Sequence, residues 1–137
     1  MKRIAFAALA LAATAATAAD LTVEIDGVTA ARGHLAVGLY DSAANFPSER
    51  GGAQAQRVAS AVGRTTVVFR NLAPGNYAVG VYQDENDNQK LDKGMFGIPK
   101  EPYGFSNDAR GTAGPPEFRD ARFAVGEAPV AVTVRVR

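Results

Sequence analysis

Apolar and polar residues alternate along most of this chain, and this alternation constrains its fold more than any other feature. The run from 21 to 26 places Leu, Val and Ile on one face and Thr, Glu and Asp on the other. A period of two is typical of a β-strand with one buried face. The run from 130 to 136 has Val at every second position. The sequence therefore predicts a protein built from half-buried strands.

Five further alternating runs lie between these two, at 35–39, 58–62, 65–69, 77–81 and 121–125. No run has the 3.6-residue period of an amphipathic helix, and we expect only a helical turn around Phe46 within 42–56. Seven short strands with two-faced alternation predict an all-β fold. The expected architecture is a single antiparallel β-sandwich of about seven strands with one long ordered loop.

The first 19 residues have the three-part layout of a secretory signal peptide. Lys2 and Arg3 precede an uncharged, Ala-rich run that ends in small residues at Ala18 and Ala19. This layout predicts a cleaved signal peptide at 1–19, with cutting after Ala18 as the alternative, and one β-sandwich domain at 20–137. The run is short of the roughly 20 strongly apolar residues that a membrane span needs, so we expect no span after removal of the signal.

Charge and cysteine content narrow the function classes. Lys2 and Arg3 are two of the 15 basic residues, so their removal leaves 13 basic against 14 acidic residues. A nearly neutral chain has no general affinity for nucleic acid. The chain has no Cys, which excludes a disulfide or a thiol nucleophile. Together with the signal, this composition predicts a periplasmic or secreted protein, most simply of a Gram-negative bacterium.

The stretch from Asp84 to Phe118 has neither strand nor helix periodicity. It is rich in Gly, Pro, Asn and Asp. Loops of this length are uncommon in compact domains and are usually functional or disordered. Large apolar residues such as Met95 and Ile98 argue against disorder, so we expect the loop to pack onto the sandwich.

The start of this loop has the oxygen-bearing side chains of a calcium site. Asp84, Asn86 and Asn88 stand at alternate positions, and the carbonyl of Lys90 and the carboxylate of Asp92 follow. Ca²⁺ takes six to eight oxygen ligands, and the Asp-x-Asn-x-Asn spacing matches the first half of a calcium-binding loop. The sequence therefore predicts a structural calcium ion at these five residues.

The second half of the loop departs from that pattern. Gln89 stands where a sharp turn favours Gly, and Met95 stands where a bidentate Glu is expected. Glu101 or Asp41 could complete the ligand shell. The alternative is that the Asp and Asn side chains only bond nearby backbone groups, as they do in many turns.

Two aromatic residues later in the loop are the candidate partner-binding residues. Tyr103 and Phe105 lie among Gly and Pro, where aromatic rings can form a sugar- or peptide-binding face. The alternative is that both rings cover the local core. No catalytic residue is predicted, because His34 is the only histidine and no nucleophile motif is present.

Three segments in order resemble a known family. They are Asn-Leu-Ala-Pro-Gly-Asn-Tyr-Ala-Val at 71–79, Asp-Glu-Asn-Asp-Asn at 84–88, and Gly-Ile-Pro-Lys-Glu-Pro-Tyr-Gly-Phe-Ser-Asn at 97–107. The chain resembles the bacterial secreted proteins of the domain of unknown function 2141 family, which usually carry Gly at the positions of Gln89 and Pro102. The resemblance implies an exported β-sandwich of the immunoglobulin or prealbumin type and no established activity.

The function expected from these observations is that of an exported, non-catalytic β-sandwich module. Its partner would be an envelope protein or glycan. One alternative is a purely structural or stress-related envelope protein without metal. The other is a small hydrolase that uses the loop carboxylates.

Overall fold

The computed structural model describes residues 5, 7–9, 18–49 and 52–137, with only the backbone of Phe96. Most of the predicted signal peptide lies outside these residues. The described chain forms eight strands: β1 Ala19–Val28, β2 His34–Tyr40, β3 Gln54–Ala59, β4 Gly63–Leu72, β5 Gly75–Asp84, β6 Tyr103–Phe105, β7 Phe123–Val125 and β8 Val130–Arg135. It also forms a short helix α1, Phe118–Ala121, and two 3₁₀ turns, Met95–Gly97 and Ser106–Asp108.

The strands form two sheets, so the predicted β-sandwich is confirmed. One sheet has three strands in the order β4-β1-β8, and the other has the order β3-β2-β5-β6, with β7 also paired to β5. All pairs are antiparallel except β1 and β8, which run parallel. Alternation shows which face of a strand is buried but not which way its partner runs, so the sequence did not predict this parallel pair.

The core lies between the two sheets and consists of the alternating residues predicted from the sequence. Every second residue of β1, β2 and β5 points into it, as the period of two requires. Its fully buried members include Leu21, Val23, Ile25, Leu35, Val37, Leu39, Phe69, Val79 and Val134.

Three local predictions differ from the structure. The segment around Phe46 forms turns rather than a helix, and β3 begins at Gln54, ahead of the predicted 58–62. Val62 is 66% exposed in the turn that follows β3. Ala121 ends α1 instead of beginning a strand. In each case the apolar signal was weak, so local turn and capping interactions decide the structure.

Side chains and chain ends close both open sides of the sandwich. At one side the Gln56 side chain on β3 donates a hydrogen bond of 2.7 Å to the Val68 carbonyl on β4. At the other side Tyr103 and Arg137 exchange two backbone hydrogen bonds, of 3.3 and 3.2 Å. These bonds join β6 of the larger sheet to the residues that follow β8 of the smaller one, and edge groups that would otherwise be unpaired are thereby used.

Among the described residues, no helix is long and apolar enough to cross a membrane.

Candidate functional site

The outer face of the five-stranded sheet carries a second, smaller apolar cluster. Tyr40, Ala78 and Ala121 are buried there. The ring of Phe46 contacts three other rings edge-on, with centroid distances of 5.2 Å to Tyr40, 5.5 Å to Phe105 and 6.0 Å to Phe118. This aromatic cluster covers one end of the sheet, so the larger sheet is buried on both faces at that end.

Beside the cluster, the same sheet face opens into a groove of about 790 Å³, called here the outer groove. Its walls come from Tyr82, Tyr103 and two loop segments, 89–99 and 111–115. The volume falls within the range of pockets that hold small ligands. Its floor consists of small residues on neighbouring strands, which are Ala36, Gly38, Ala55 and Gly80.

Two tyrosines stand side by side in this groove. Tyr82 on β5 is directly opposite Tyr103 on β6, so both side chains lie on the outer face. The Tyr103 ring is 6.0 Å from the Phe105 ring at an interplanar angle of 72°. Burial raises the pKa of Tyr82 to about 12, and the nearby negative charge of Glu49 adds to this. The Tyr82 hydroxyl therefore remains protonated at all physiological pH values.

The structure separates the two predicted partner-binding residues. Tyr103 and Phe105 lie on strand β6, not on the irregular loop where the sequence placed them. Phe105 packs against Phe46 in the aromatic cluster, which is the covering role named as the alternative. Tyr103 lines the outer groove, as does one side of Phe105. The strand was missed because three residues are too few to show a period of two.

The acidic loop begins at a buried carboxylate. Asp84, the last residue of β5, is completely buried. Its Oδ1 accepts the N–H of Asn88 at 3.1 Å, and its Oδ2 accepts the N–H of Gln89 at 2.7 Å. Arg57 on β3 also donates to Oδ2, at 2.9 Å. Asp84 thus fixes the first turn of the loop and is itself neutralised by Arg57.

A second carboxylate closes the loop from its far end. Glu101 is buried, and its two oxygens accept the backbone N–H groups of Glu85 at 2.6 Å and Asp92 at 2.9 Å. One side chain is thereby joined to two backbone positions that precede it by 16 and by nine residues. The loop between them is held by these two carboxylates, which fixes the wall that it gives to the outer groove.

Three of the five predicted calcium ligands come together. The side-chain nitrogens of Asn86 and Asn88 each donate to Asp92 at 2.6 Å. These hydrogen bonds lower the pKa of Asp92, and the bond from Asn88 has the larger effect. Asp84 instead faces Arg57 and backbone N–H groups, while Lys90 donates its N–H to Asn88. The described residues contain no group of three or more His, Cys, Asp or Glu that could hold a metal ion.

These contacts partly fit a calcium ion. An Asn amide exchanges its oxygen and nitrogen by rotating half a turn, so Asn86 and Asn88 can present oxygens beside Asp92 only by giving up the backbone N–H groups of Asn88 and Lys90 that their oxygens now accept. The side chain of Glu101 lies next to Asp92, although its oxygens accept backbone N–H groups, whereas Asp41 accepts from Asn45 and does not join them. The calcium site stays a prediction.

Sequence reasoning did not predict the charged cluster beside the loop. Arg57, with a side chain 33% exposed, contacts both Asp84 and Asp87. His34 lies 2.7 Å from Asp87 and is the main reason that the pKa of Asp87 is lowered. The register of β2, β3 and β5 brings these residues together, and alternation alone does not give that register.

One signal for the outer groove was present in the sequence. Between the end residues His34, Asn76 and Asp84, the outward residues of β2 and β5 are small or aromatic where a solvent-facing strand would carry charged residues. They are Ala36, Gly38, Tyr40, Ala78, Gly80 and Tyr82.

Fold and site together define a class: two-sheet β-sandwiches with a partly covered groove on the outer face of one sheet. The chain belongs to the family described as "Uncharacterized protein conserved in bacteria" (DUF2141), whose model matches residues 23–133. The resemblance inferred from the three sequence segments is therefore confirmed. Among solved structures, the chain is similar to a pilus-presented adhesin, with 13% identity and a TM-score of 0.35. That alignment covers 90% of this chain and 27% of the adhesin chain. A search of curated proteins gives no match.

Proposed function

We propose that this protein is an exported, non-catalytic binding module that holds a ligand of the cell envelope in the outer groove. The single observation that carries the proposal is the groove itself. It combines a flat floor of small residues with two tyrosines from adjacent strands. Gly38 and Gly80 lie under the rings of Tyr40 and Phe105, and Ala36 and Ala55 line the floor beside these rings.

The chemistry of the groove supports a role without catalysis. Among the described residues that line it, Glu49 is the one carboxylate. Most glycoside hydrolases need two carboxyl groups that flank the scissile bond. The loop carboxylates of the hydrolase alternative point elsewhere, because Asp84 is buried against Arg57 and Asp92 accepts from Asn86 and Asn88.

In this proposal the acidic loop is a structural wall. The segment 89–99 contributes Gln89, Leu91 and Lys93 to the groove, and the anchors at Asp84 and Glu101 fix both ends of that segment. A calcium ion at Asn86, Asn88 and Asp92 would add a third anchor. Fixing the wall before the ligand arrives reduces the ordering cost of binding.

The test is to place a larger side chain on the floor of the groove. Ala36 lies on the groove floor, so Ala36→Leu should block ligands without removing any lining side chain. A library of aromatic, amide and sugar fragments is added to ¹⁵N-labelled processed protein, and amide shifts are recorded. We expect fragments to shift the amides of Gly38 and Gly80, and we expect Ala36→Leu to abolish those shifts.

Ala131→Leu is the matched control, because Ala131 is exposed on the smaller sheet, away from the groove. It should leave every fragment shift in place. The proposal fails if no fragment shifts the groove amides of the wild type, or if Ala36→Leu binds the fragments as the wild type does.

One observation favours a second candidate, a purely structural envelope protein. Phe105 belongs to the aromatic cluster, and Tyr40 there donates its hydroxyl to the Ser48 carbonyl at 2.9 Å. These contacts hold the segment 41–49 against the sheet without any ligand. A groove without ligands, in a protein that Phe105→Ala destabilises, would favour this candidate.

A further inference from the structure

Resting on the proposed function, we infer that the ligand of the outer groove is an uncharged oligosaccharide whose sugar rings stack on Tyr82 and Tyr103. The inference names the chemistry of the ligand, which the proposed function leaves open. Three properties of the groove carry it: the placement of the rings, the distribution of polar groups and the balance of charge.

The two tyrosines form an extended aromatic surface. Their strands are hydrogen-bonded neighbours and the residues are directly paired, so their Cβ atoms are about 5 Å apart. The Phe105 ring lies beside Tyr103 on β6, turned edge-on to it. Ala36, which is directly paired with Tyr82 on the neighbouring strand, lines the floor beside these rings. A sugar ring has an apolar face of C–H groups, which packs on such a surface as other apolar groups do.

Polar side chains also line the groove beside this floor. The Tyr82 hydroxyl stays protonated and can both donate and accept. Arg57 lines the groove, and its guanidinium is fixed by Asp84 and Asp87. Glu49 and Lys93 stand at the opening, where a smaller adjoining pocket also contains them. An apolar floor inside a polar rim matches a ring whose hydroxyls project from its edge.

The charge of the groove selects an uncharged ligand. Arg57 is compensated by two carboxylates, and among the other lining residues that the structure describes there are one acid, Glu49, and one base, Lys93. A groove for an anionic or cationic glycan would carry an excess of the opposite charge.

The same features disfavour a peptide or a lipid chain. The backbone of β5 is already paired with β2 on one side and with β6 and β7 on the other, so a peptide cannot add to this sheet face as a strand. A hydrocarbon chain would cover the side chains of Glu49 and Lys93 without offering them polar contacts.

The experiment uses the processed protein and four probes: a β-1,4-linked glucose hexasaccharide, a β-1,4-linked N-acetylglucosamine hexasaccharide, a galacturonate hexasaccharide and a proline decapeptide. Binding is measured by calorimetry and mapped by amide shifts. We expect at least one neutral hexasaccharide to bind at the groove. Its affinity should change by less than about twofold when NaCl is raised to about 0.3 M, since an uncharged ligand is not screened.

Variants test the stacking residues. Tyr103→Ala and Tyr82→Ala should each weaken binding roughly three- to tenfold, and Tyr103→Phe should lie between wild type and Tyr103→Ala. Tyr77→Phe is the control, because Tyr77 lies outside the groove and donates its hydroxyl to Ala73. Ala36→Leu retains both tyrosines, so it tests the site even if an alanine variant fails to fold.

The outcomes separate this inference from the proposed function. If fragments, the galacturonate probe or the proline peptide bind at the groove and neither neutral hexasaccharide does, the inference is overturned and the binding function stands. Neutral saccharides that bind with equal affinity to wild type and Ala36→Leu would also overturn it. If no probe and no fragment binds, both proposals fail.

Discussion

At the scale of single residues, Gly104 shows why one strand position accepts no side chain. It lies in the middle of β6, where the chain end crosses from the smaller sheet to the larger one. A Cβ placed on Gly104 would lie 2.0 Å from the carbonyl oxygen of Arg135. The backbone of residues 135–137 can approach β6 only because this position is a glycine.

We therefore expect Gly104→Ala to destabilise the protein by about 1–3 kcal/mol, the usual cost of overpacking a well-packed site. Gly126→Ala is the matched control, since a Cβ at Gly126 meets nothing within 4 Å. Urea unfolding of both variants measures the difference. Equal unfolding midpoints would show that the chain end is not held against β6.

Individual residues of the acidic loop were predicted with mixed success. The expectation that Gln89 occupies a sharp turn agrees with its φ of 62°, a conformation that usually favours Gly. The contact between Arg57 and Asp84 could not be foreseen, because the residues are 27 positions apart and their meeting depends on strand register.

At the scale of elements, the loop after β5 is held by carboxylates, and its stability should therefore depend on pH. Asp87 and Asp92 both have pKa values lowered from 3.8, the first chiefly by His34 and the second chiefly by Asn88. A lowered pKa in the folded state means that the charged form is favoured by folding. This contribution is complete above pH 3.8 and is lost as the pH falls through the lowered values.

The expected result is a urea midpoint that falls as the pH is lowered below 4, and falls less steeply in Asp92→Asn. Asn88→Ala removes the donor while keeping the carboxyl, so it should reduce the pH dependence in the same direction. The measurement is urea unfolding at several pH values from 6 to 3. Identical pH profiles for all three proteins would contradict this account.

The calcium prediction also belongs to this element. Ca²⁺ at 100 times its dissociation constant should add about 2.7 kcal/mol, which raises the melting temperature by several degrees in a domain of this size. We expect EDTA to lower the melting temperature, added Ca²⁺ to restore it, and Asp92→Asn to remove the response.

Asp20→Asn is the control, because Asp20 lies on β1, outside the loop. Superimposed melting curves with EDTA and with Ca²⁺ would contradict the prediction. The hydrogen bonds to Asp84, Glu101 and Asp92 would then be the whole support of the loop.

Elements with strong alternation were predicted well, whereas short elements were not. The runs at 21–26 and 77–81 lie within β1 and β5. The long loop, which was expected to pack onto the sandwich, does so only in part: Glu101 and Ser106 are buried, but Met95 is 81% exposed and Ile98 is 64% exposed. Both residues follow Asp92, whose N–H is held by the Glu101 carboxylate. Composition does not reveal this contact.

At the scale of the whole molecule, the sandwich and its core could be predicted from the period of two. The contacts that join the two sheets at their open sides could not. Which strands are neighbours depends on contacts between distant segments, such as the parallel pair that brings Leu21 opposite Val130. The outer groove depends on the same information, because its walls come from β5, from β6 and from the two loop segments 89–99 and 111–115.

Removing Val136 and Arg137 tests the closure. Val136 is buried, and its N–H donates to the Asp26 carbonyl at 2.9 Å. Loss of one buried Val and of three backbone hydrogen bonds should cost about 3–5 kcal/mol. Chemical unfolding of the truncated protein measures this cost.

Arg137→Ala is the control. It removes the contacts to Asp108, an exposed pair worth at most about 1 kcal/mol, and leaves the backbone bonds to Tyr103 intact. Wild-type stability in the truncated protein would show that the final residues do not close the sandwich.

The pairing of β1 with β8 also sets the order in which this chain can fold. β1 is the central strand of its sheet, and one of its two neighbours begins only at Val130. A ribosome releases residues in sequence, so a growing chain offers β1 one partner and leaves half of its hydrogen bonds unmade. Pairings between such distant residues form slowly. β1 therefore gains its second neighbour only after residues 130–135 have been made.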